Sequence, residues 1–366
     1  MSLVIAAGAA ASPATAAPAP GWEHPGFDAE DSHYNPAESV INAGSVGRLA
    51  KKWSVRLRDV PESCSGWSPP LVAGGQVIVT DKLGISAYGA DSGAVRWRFD
   101  WNWPSDNSTP TLAVSGGLLI AANGDCNSQS GQLTALNLAD GKVHWKLPLD
   151  VPIRSAVVDQ GVVVISGWSQ SDEELVAGFR ASDGRRLWDK PGWSSSGVSA
   201  NGVILMRKTD GFGAADGGTS AISVRDGVLR WSRLENWVAE AAFDGSFYVT
   251  DQQRNLIAVD ETDGSVHWTA KGKASALIAV DGQRVYRSSG RVVEAVDGQT
   301  GRRVWKTPMA VEAGQPVRAG GLLYAGGQVL AAFNGNVPGP TFGGHVVVSG
   351  GRLYQVNERR LTAYAP

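Results

Sequence analysis

The sequence predicts an all-β protein, an eight-bladed β-propeller whose last blade is closed by a strand from near the N-terminus, with seven blades as the alternative count. Three observations lead to this prediction. The chain of 366 residues contains 46 glycines and only 19% charged residues, a composition typical of turn-rich β proteins. A motif that ends in tryptophan recurs at the spacing of propeller blades. The last repeat lacks one strand, which a segment near the start of the chain can supply.

Each copy of the motif joins an apolar strand to a second strand that ends in tryptophan, through a turn with Gly after Asp, Ser or Thr. Clear copies are AYGADSGAVRWRF, ALNLADGKVHWKL and AVDGQTGRRVWKT. Successive tryptophans stand 37 to 48 residues apart, close to the ~40 residues of a four-stranded blade. We expect these side chains to pack between neighbouring blades, at Trp53, Trp97, Trp145, Trp188, Trp231, Trp268 and Trp305.

The number of blades depends on the last two repeats. Each blade contains strands a and b around one Gly turn, then strands c and d around the turn of the motif. Residues 316–336 provide strands a, b and c with a degenerate d that has no tryptophan, and residues 345–364 provide a, b and c alone. The missing strand d is predicted at KKWSVRL, residues 51–57, where Trp53 occupies the motif position. Its pairing with the last blade closes the ring and leaves no exposed sheet edge.

The chain divides into three predicted regions. Residues 1–20 form a signal-like or disordered leader with Ala14-Thr15-Ala16 as a cleavage candidate, residues 21–50 an N-terminal extension, and residues 51–366 a single propeller domain. We expect a secreted, periplasmic or cell-envelope protein, monomeric and without a membrane span. A net charge of -2, without a run of Lys or Arg, argues against nucleic acid as a partner.

The repeats resemble those of the pyrroloquinoline-quinone (PQQ) propeller superfamily, whose pattern is Ala-x-Asp-x-x-Thr-Gly-x-x-x-Trp. The best copy runs from Ala295 to Trp305, and the stretch GFDAEDSHYNPAES (residues 26–39) resembles the chain start of quinoprotein dehydrogenases. The resemblance covers residues 22–366 and implies the propeller fold. It implies less about function, because the same ring serves redox enzymes and outer-membrane assembly scaffolds.

The resemblance implies PQQ with calcium only if the residues that hold the cofactor are present. Family dehydrogenases place two adjacent cysteines against the quinone, whereas Cys64 and Cys126 are far apart. Gly66-Trp67-Ser68 stands where the family has a glutamate, and a set of calcium ligands is not recognisable. We therefore expect no cofactor and no metal. The two cysteines of an exported chain are expected to form a disulfide that joins two loops of one face.

That face surrounds the mouth of the central channel. The a–b and c–d turns share one end of the ring, so the d–a and b–c connections lie at the other, which we call the mouth face. Six tryptophans outside the motif fall there and are candidate ligand-binding residues: Trp67, Trp101, Trp103, Trp168, Trp193 and Trp237. Two interpretations remain open. The indoles either pack into local cores of wide loops, or form an aromatic wall that stacks on an aromatic ligand, a sugar or a partner side chain.

Residues that open the inner strands should line the mouth. These candidates are Trp67, Thr109, Arg154, Ser196, Glu240, Ser275 and Gln315. The charged pair, Arg154 and Glu240, forms either rim charges or a site in which Arg154 anchors an anion and Glu240 acts as general acid or base.

The sequence thus favours an exported propeller that binds a small ligand or a protein segment at its mouth. The alternative is an enzyme that uses the same mouth, either for a cofactor-free reaction of an aromatic or hydrophobic compound or as a degenerate quinoprotein dehydrogenase.

Overall fold

The structure, a computed structural model, describes residues 21–168, 174–209, 215–272, 277–337 and 339–366, with the side chains of 215 and 216 left out. The predicted leader and Ser275 lie outside these ranges. Two short strands, β1 (Tyr34–Asn35) and β2 (Ala50–Arg56), precede the first blade, with the 3-10 helix Val46–Arg48 between them. Within the described ranges, no helix is long and apolar enough to cross a bilayer.

The strands that follow form eight sheets in chain order, each one a blade with its first strand on the central channel. Blades 1 and 2 contain β3 (Leu71–Ala73), β4 (Gln76–Asp81), β5 (Gly84–Gly89) and β6 (Val95–Asp100), then β7 (Thr111–Ser115), β8 (Leu118–Gly124), β9 (Gly131–Asn137) and β10 (Val143–Leu149). Blades 3 and 4 contain β11 (Ile153–Asp159), β12 (Val162–Trp168), β13 (Glu174–Arg180) and β14 (Arg186–Pro191), then β15 (Trp193–Ser194), β16 (Ser199–Ala200), β17 (Val203–Thr209), β18 (Ala215–Ser223) and β19 (Leu229–Arg233).

The second half of the ring repeats this pattern. Blades 5 and 6 contain β20 (Val238–Phe243), β21 (Ser246–Thr250), β22 (Leu256–Asp260) and β23 (Val266–Ala270), then β24 (Ile278–Asp281), β25 (Arg284–Ser289), β26 (Val292–Asp297) and β27 (Arg303–Pro308). Blades 7 and 8 contain β28 (Val317–Ala319), β29 (Leu322–Ala325) and β30 (Gln328–Ala331), then β31 (His345–Ser349), β32 (Arg352–Asn357) and β33 (Arg360–Ala365). Eight blades, rather than seven, are therefore confirmed.

Blade 8 is closed as the sequence predicts. Strand β2 pairs antiparallel with β33, with Trp53 opposite Ala363 and Arg56 opposite Arg360. The sheet order is β2-β33-β32-β31, so a strand from near the N-terminus occupies the outer position of the last blade. This pairing covers the outer edge of β33, whose outward-facing backbone groups would otherwise lack partners in the sheet.

Blade 7 obtains its fourth strand on the opposite side. Strand β1 pairs in parallel with β28, so it lies on the channel side of the sheet rather than in the outer position. The outer position holds irregular backbone, in which Ala331 N–H donates to Asn336 O at 2.7 Å and Phe342 N–H donates to Gly327 O at 2.6 Å. The degenerate strand d is confirmed, and Pro340, which has no N–H to donate, is one reason for it.

The motif tryptophans join consecutive blades by one recurring contact. Trp231 Nε1 donates to the carbonyl of Glu261 in the next blade at 2.8 Å. Its ring lies on Gly264 of the same turn, where φ is +73° and an added Cβ would stand 2.7 Å from the ring. Both the backbone conformation and the ring therefore require glycine. The same contact joins Trp53 to Gly93, Trp97 to Gly141, Trp145 to Gly184, Trp188 to Gly227, Trp268 to Gly301 and Trp305 to Gly335.

The N-terminal extension follows the inner strands around the turn-side end of the channel. Trp22 exchanges backbone hydrogen bonds with Val72 in blade 1, at 2.8 and 2.9 Å, and Asn35 Nδ2 donates to Val348 O in blade 8 at 2.9 Å. Between these two contacts, the extension forms a hydrogen bond with each of blades 2 to 7 in turn. Its partners there are Val114, Val158, Ser199, Ala242, Val280 and Arg318. Each of these partners is the penultimate residue of its inner strand. The extension therefore closes the end of the channel that faces away from the mouth.

Two carboxyl groups of the extension sit where burial opposes their ionisation. Burial raises the pKa of Asp28 to about 6, against hydrogen bonds from Ser32 and the Glu30 N–H. Burial raises the pKa of Glu30 to about 7, and the nearby carboxylates of Asp28 and Glu261 raise it further. These groups line a hollow of about 530 Å³ at the turns of blades 3 and 4.

The glycine under each motif ring gives the first prediction. Gly264→Ala and Gly245→Ala both place a Cβ at a positive φ, +73° and +77°, at a cost of about 1–2 kcal/mol each. Only Gly264 lies under an indole, since nothing stands within 4 Å of a Cβ at Gly245. We expect Gly264→Ala to lose a further 1–3 kcal/mol, roughly, from overpacking against Trp231. Urea denaturation measures both variants, and equal losses would contradict the proposed role of the ring contact.

The buried carboxyl groups predict how stability depends on pH. A carboxyl whose pKa is raised in the folded state stabilises the fold at low pH, and this contribution is lost as the pH rises toward about 7. Burial lowers the pKa of His24 and His33, which act in the opposite direction. Between roughly pH 5 and pH 8, the range in which these groups titrate, the Tm of Glu30→Gln should therefore fall less than the Tm of the wild type. Exposed Glu235→Gln is the control, and a change as large in that variant would count against the assignment.

Candidate functional site: the mouth face

A central cavity lies between the mouth and the extension, next to blades 7, 8 and 1. Its volume is about 290 Å³. Pro69, Gln315 and His345 stand at its rim, just before or at the start of inner strands, while Trp22 and His33 of the extension form its floor. The extension therefore forms part of the wall of this cavity.

The cavity is mainly apolar. Its walls include Val317, Phe342 and Val346, and Trp22 on its floor is completely buried. Burial lowers the pKa of both His33 and His345 below the ordinary value of histidine. Their neutral forms are therefore favoured at neutral pH. His33 Nε2 lies 3.5 Å from Asp31 Oδ1, and its buried Nδ1 has no hydrogen-bond partner. Such a lining suits an apolar group that brings at most one or two polar atoms.

Gln315 and the Arg154 region occupy different parts of the mouth. Gln315 Nε2 donates to Ile278 O at 2.7 Å, which joins blades 6 and 7 at the rim of the central cavity. The Arg154 guanidinium lies over the Trp168 ring, 3.9 Å from its centroid, and Trp168 Nε1 donates to Glu174 Oε1 at 2.7 Å. A second hollow, of about 130 Å³, lies beside Arg154 between blades 3, 4 and 5. Ser196 and the buried Trp237 also line it.

Glu240 is not brought together with Arg154. Its carboxylate accepts a hydrogen bond from Thr250 Oγ1 within blade 5. Burial raises the pKa of Glu240, the Thr250 hydrogen bond lowers it, and the charge of Asp31 raises it. Arg154 instead stacks on Trp168. The two predicted catalytic candidates therefore have separate surroundings, and a joint catalytic role has no geometric support here.

The remaining mouth tryptophans differ in exposure. Trp101 and Trp237 are 7% and 3% exposed and belong to the hydrophobic core. Trp67 and Trp193 are partly buried and pack against the core clusters next to them. Trp103 is 69% exposed. Local packing therefore accounts for most of these indoles, and Trp103 is the one that projects from the mouth face. Their roles in ligand binding, like that of Thr109, whose Oγ1 accepts from Gly66 N–H at 2.6 Å, stay predictions.

The predicted disulfide is confirmed. Cys64 and Cys126 are bonded, with their Cα atoms 6.5 Å apart. Both cysteines also bond to the loop that connects blades 1 and 2. Cys64 N–H donates to Pro104 O at 3.1 Å, and Cys126 N–H donates to Asp106 O at 2.8 Å. Three connections of blades 8, 1 and 2 are thereby fixed to one another on the mouth face.

The floor of the cavity is the part that sequence reasoning missed. Trp22, Pro25 and His33 lie in a segment without periodicity, and its contacts with the inner strands run mainly through backbone atoms. The available signal was the resemblance of residues 26–39 to the start of quinoprotein dehydrogenases, which marks the segment as part of the fold. It does not indicate the path of the segment through the channel.

The mouth does not fit the PQQ site of the dehydrogenases. The two cysteines tie surface loops and are not adjacent, so they cannot form the cysteine pair expected against a quinone. In the described part of the chain, no group of three or more His, Cys, Asp or Glu side chains is arranged to hold a metal ion. That the protein works without a cofactor remains a prediction.

Titration with the cofactor tests it. Because the residues do not supply the ligands, added PQQ and calcium should leave the Tm and the tryptophan fluorescence of the purified protein unchanged. A quinone absorption band in protein purified from its native host, or a rise in Tm with PQQ, would refute this expectation. A quinoprotein dehydrogenase treated in the same way is the positive control.

A family model described as outer membrane protein assembly factor BamB matches this chain over residues 81–234 and again over 234–353. The chain is 25% identical to the BamB of Yersinia pestis over 291 residues, which cover 70% of this chain and 71% of that protein. It is 30% identical to the BamB of Burkholderia pseudomallei over 156 residues, 39% of this chain and 40% of that protein.

Solved structures agree on the fold. The crystal structure of BamB from Moraxella catarrhalis superposes with a TM-score of 0.64 at 17% identity, over 87% of this chain and 98% of that one. A quinohemoprotein alcohol dehydrogenase from Comamonas testosteroni superposes with a TM-score of 0.70 at 14% identity, over 96% and 81%. Because an assembly factor and a redox enzyme both match, these likenesses establish the propeller and leave the activity to the residues of the mouth.

Proposed function

The chain belongs to the BamB family of PQQ-like repeat propellers, and we propose that it is a scaffold that binds an extended protein segment at its mouth face. The protein acts outside the cytoplasm, as its sequence predicts. The relatives are named as assembly factors for outer membrane proteins, which is a function of protein binding rather than of catalysis.

The observation that supports the mouth as the binding site is the central cavity. The extension occupies the opposite end of the channel, so the cavity of about 290 Å³ is reached from the mouth. Its apolar walls at Phe342 and Val346 suit one bulky aliphatic or aromatic side chain of a partner. Buried pockets filled by one large apolar side chain are typical centres of binding energy in protein interfaces.

The surroundings of the cavity suit a segment rather than a small molecule alone. The polar hollow beside Arg154 and Ser196 lies on the same face, nearer to blades 3 and 4. A partner chain that places one apolar side chain in the central cavity can continue across the mouth and meet these polar groups. A small molecule bound in the cavity alone would not contact these polar groups, which would stay hydrated.

Photo-crosslinking in the native compartment tests this proposal. A photoreactive amino acid at His345, on the exposed rim of the cavity, should form adducts with another protein, whereas one at Asp244, in an exposed turn of the opposite face, should not. Val346→Phe fills the cavity and should reduce the adducts at least tenfold, which corresponds to about 1.4 kcal/mol. Val266→Phe, on an exposed outer strand of blade 5, is the matched control.

Equal adducts from both faces, or adducts that persist unchanged in Val346→Phe, would reject the mouth as the protein-binding site. The Tm of each variant identifies any loss of adducts that comes from misfolding. A mass shift that corresponds to a small molecule, with no protein adduct, would assign the cavity to the other ligand class.

A further inference from the structure

Trp103 projects beside a groove between blades 1 and 2, separate from the central cavity. The groove has a volume of about 470 Å³, and both Trp101 and Trp103 line it. Trp103 is 69% exposed, whereas Trp101, two residues earlier, is 7% exposed. An indole of this exposure presents a large flat apolar area that a ligand can cover.

The loop of Trp103 is held rigidly. The carbonyl of Trp103 accepts from Asn107 Nδ2 at 2.8 Å and from Asp106 N–H at 3.1 Å. The next residue, Pro104, accepts from Cys64 N–H, and Cys64 is bonded to Cys126. The backbone that carries the exposed ring is therefore ordered before any ligand binds, which lowers the entropic cost of binding.

The rest of the groove combines apolar side chains, among them Phe99, Val143 and Leu149, with polar ones. Its lining includes the side-chain amides of Asn102, Asn123 and Gln132, the ammonium of Lys146 and the carboxylate of Asp150. The combination of a flat aromatic surface with amide and carboxylate groups suits a ligand that has one C–H face and many hydroxyl groups.

Two buried polar atoms of groove-lining residues have no hydrogen-bond partner. Asn123 is 3% exposed, and its Oδ1 is unpaired although its Nδ2 donates to Asn107 Oδ1 at 3.1 Å. Trp101 Nε1 is also buried and unpaired. One of these atoms accepts and the other donates, so hydroxyl groups, which do both, can satisfy them.

We infer that this groove binds a neutral saccharide, whose ring stacks on Trp103 and whose hydroxyl groups bond to Asn123 and the neighbouring side chains. The charges of the groove favour neutral saccharides over acidic ones, because four aspartates outnumber Lys146 in its lining: Asp100, Asp106, Asp125 and Asp150. The site lies apart from the central cavity, and it does not depend on the function proposed for that cavity.

Calorimetry and tryptophan fluorescence with defined disaccharides test the inference on the full chain. Cellobiose, maltose and diacetylchitobiose are the neutral probes, and a uronic-acid disaccharide is the anionic one. We expect at least one neutral probe to bind, and Trp103→Ala to weaken that binding at least tenfold. Trp103→Phe keeps an aromatic face and should restore most of the affinity. Phe333→Ala removes a 76% exposed aromatic ring near the opposite face and should change nothing.

The inference fails if none of the neutral disaccharides binds at millimolar concentration, or if Trp103→Ala binds as the wild type does. It also fails if only the anionic probe binds, because the carboxylates of the groove oppose it. A peptide probe that quenches Trp103 where the saccharides do not would assign the groove to protein. The Tm of Trp103→Ala shows whether the variant is folded, and little change is expected for an exposed side chain.

Discussion

The contact between a tryptophan and a glycine turn of the next blade is the interaction on which the ring depends. In each motif the glycine and the tryptophan are close in sequence, yet they belong to different contacts. Gly301 lies under Trp268 of the preceding blade, while Trp305 donates to Ala332 O of the following blade at 3.0 Å. Every complete motif therefore binds in both directions, and the ring is a series of such contacts between neighbours.

This contact also explains why blade 7 is degenerate. Blade 8 has no c–d turn, because its strand d is β2, which precedes blade 1 in the chain and does not follow strand c. A tryptophan in strand d of blade 7 would have no glycine turn to cover. The Phe342 and Tyr364 rings, with centroids 5.3 Å apart, pack at this junction instead. The missing motif is thus a consequence of how the ring closes, and irregular backbone fills the outer position.

The repeat carried the predictions that succeeded. Periodic tryptophans and turns fix the number of blades and the face on which each connection lies, and this map also brings Cys64 close to Cys126. The path of residues 22–35 was not predictable, because backbone hydrogen bonds do not require particular side chains. The different exposure of Trp101 and Trp103 was not predictable either. Both follow the end of a strand, where alternation no longer determines which side chain is buried.

Closure by β2 and β33 also sets the order of events when the protein is made. Strand β2, which completes blade 8, precedes blade 1 in the chain, whereas its partner β33 follows all the other blades. Until β33 is available, β2 has no sheet to join, and contacts between segments so distant in sequence form slowly. Blades 1 to 7 can therefore form before the ring closes, and closure waits for the strands of blade 8.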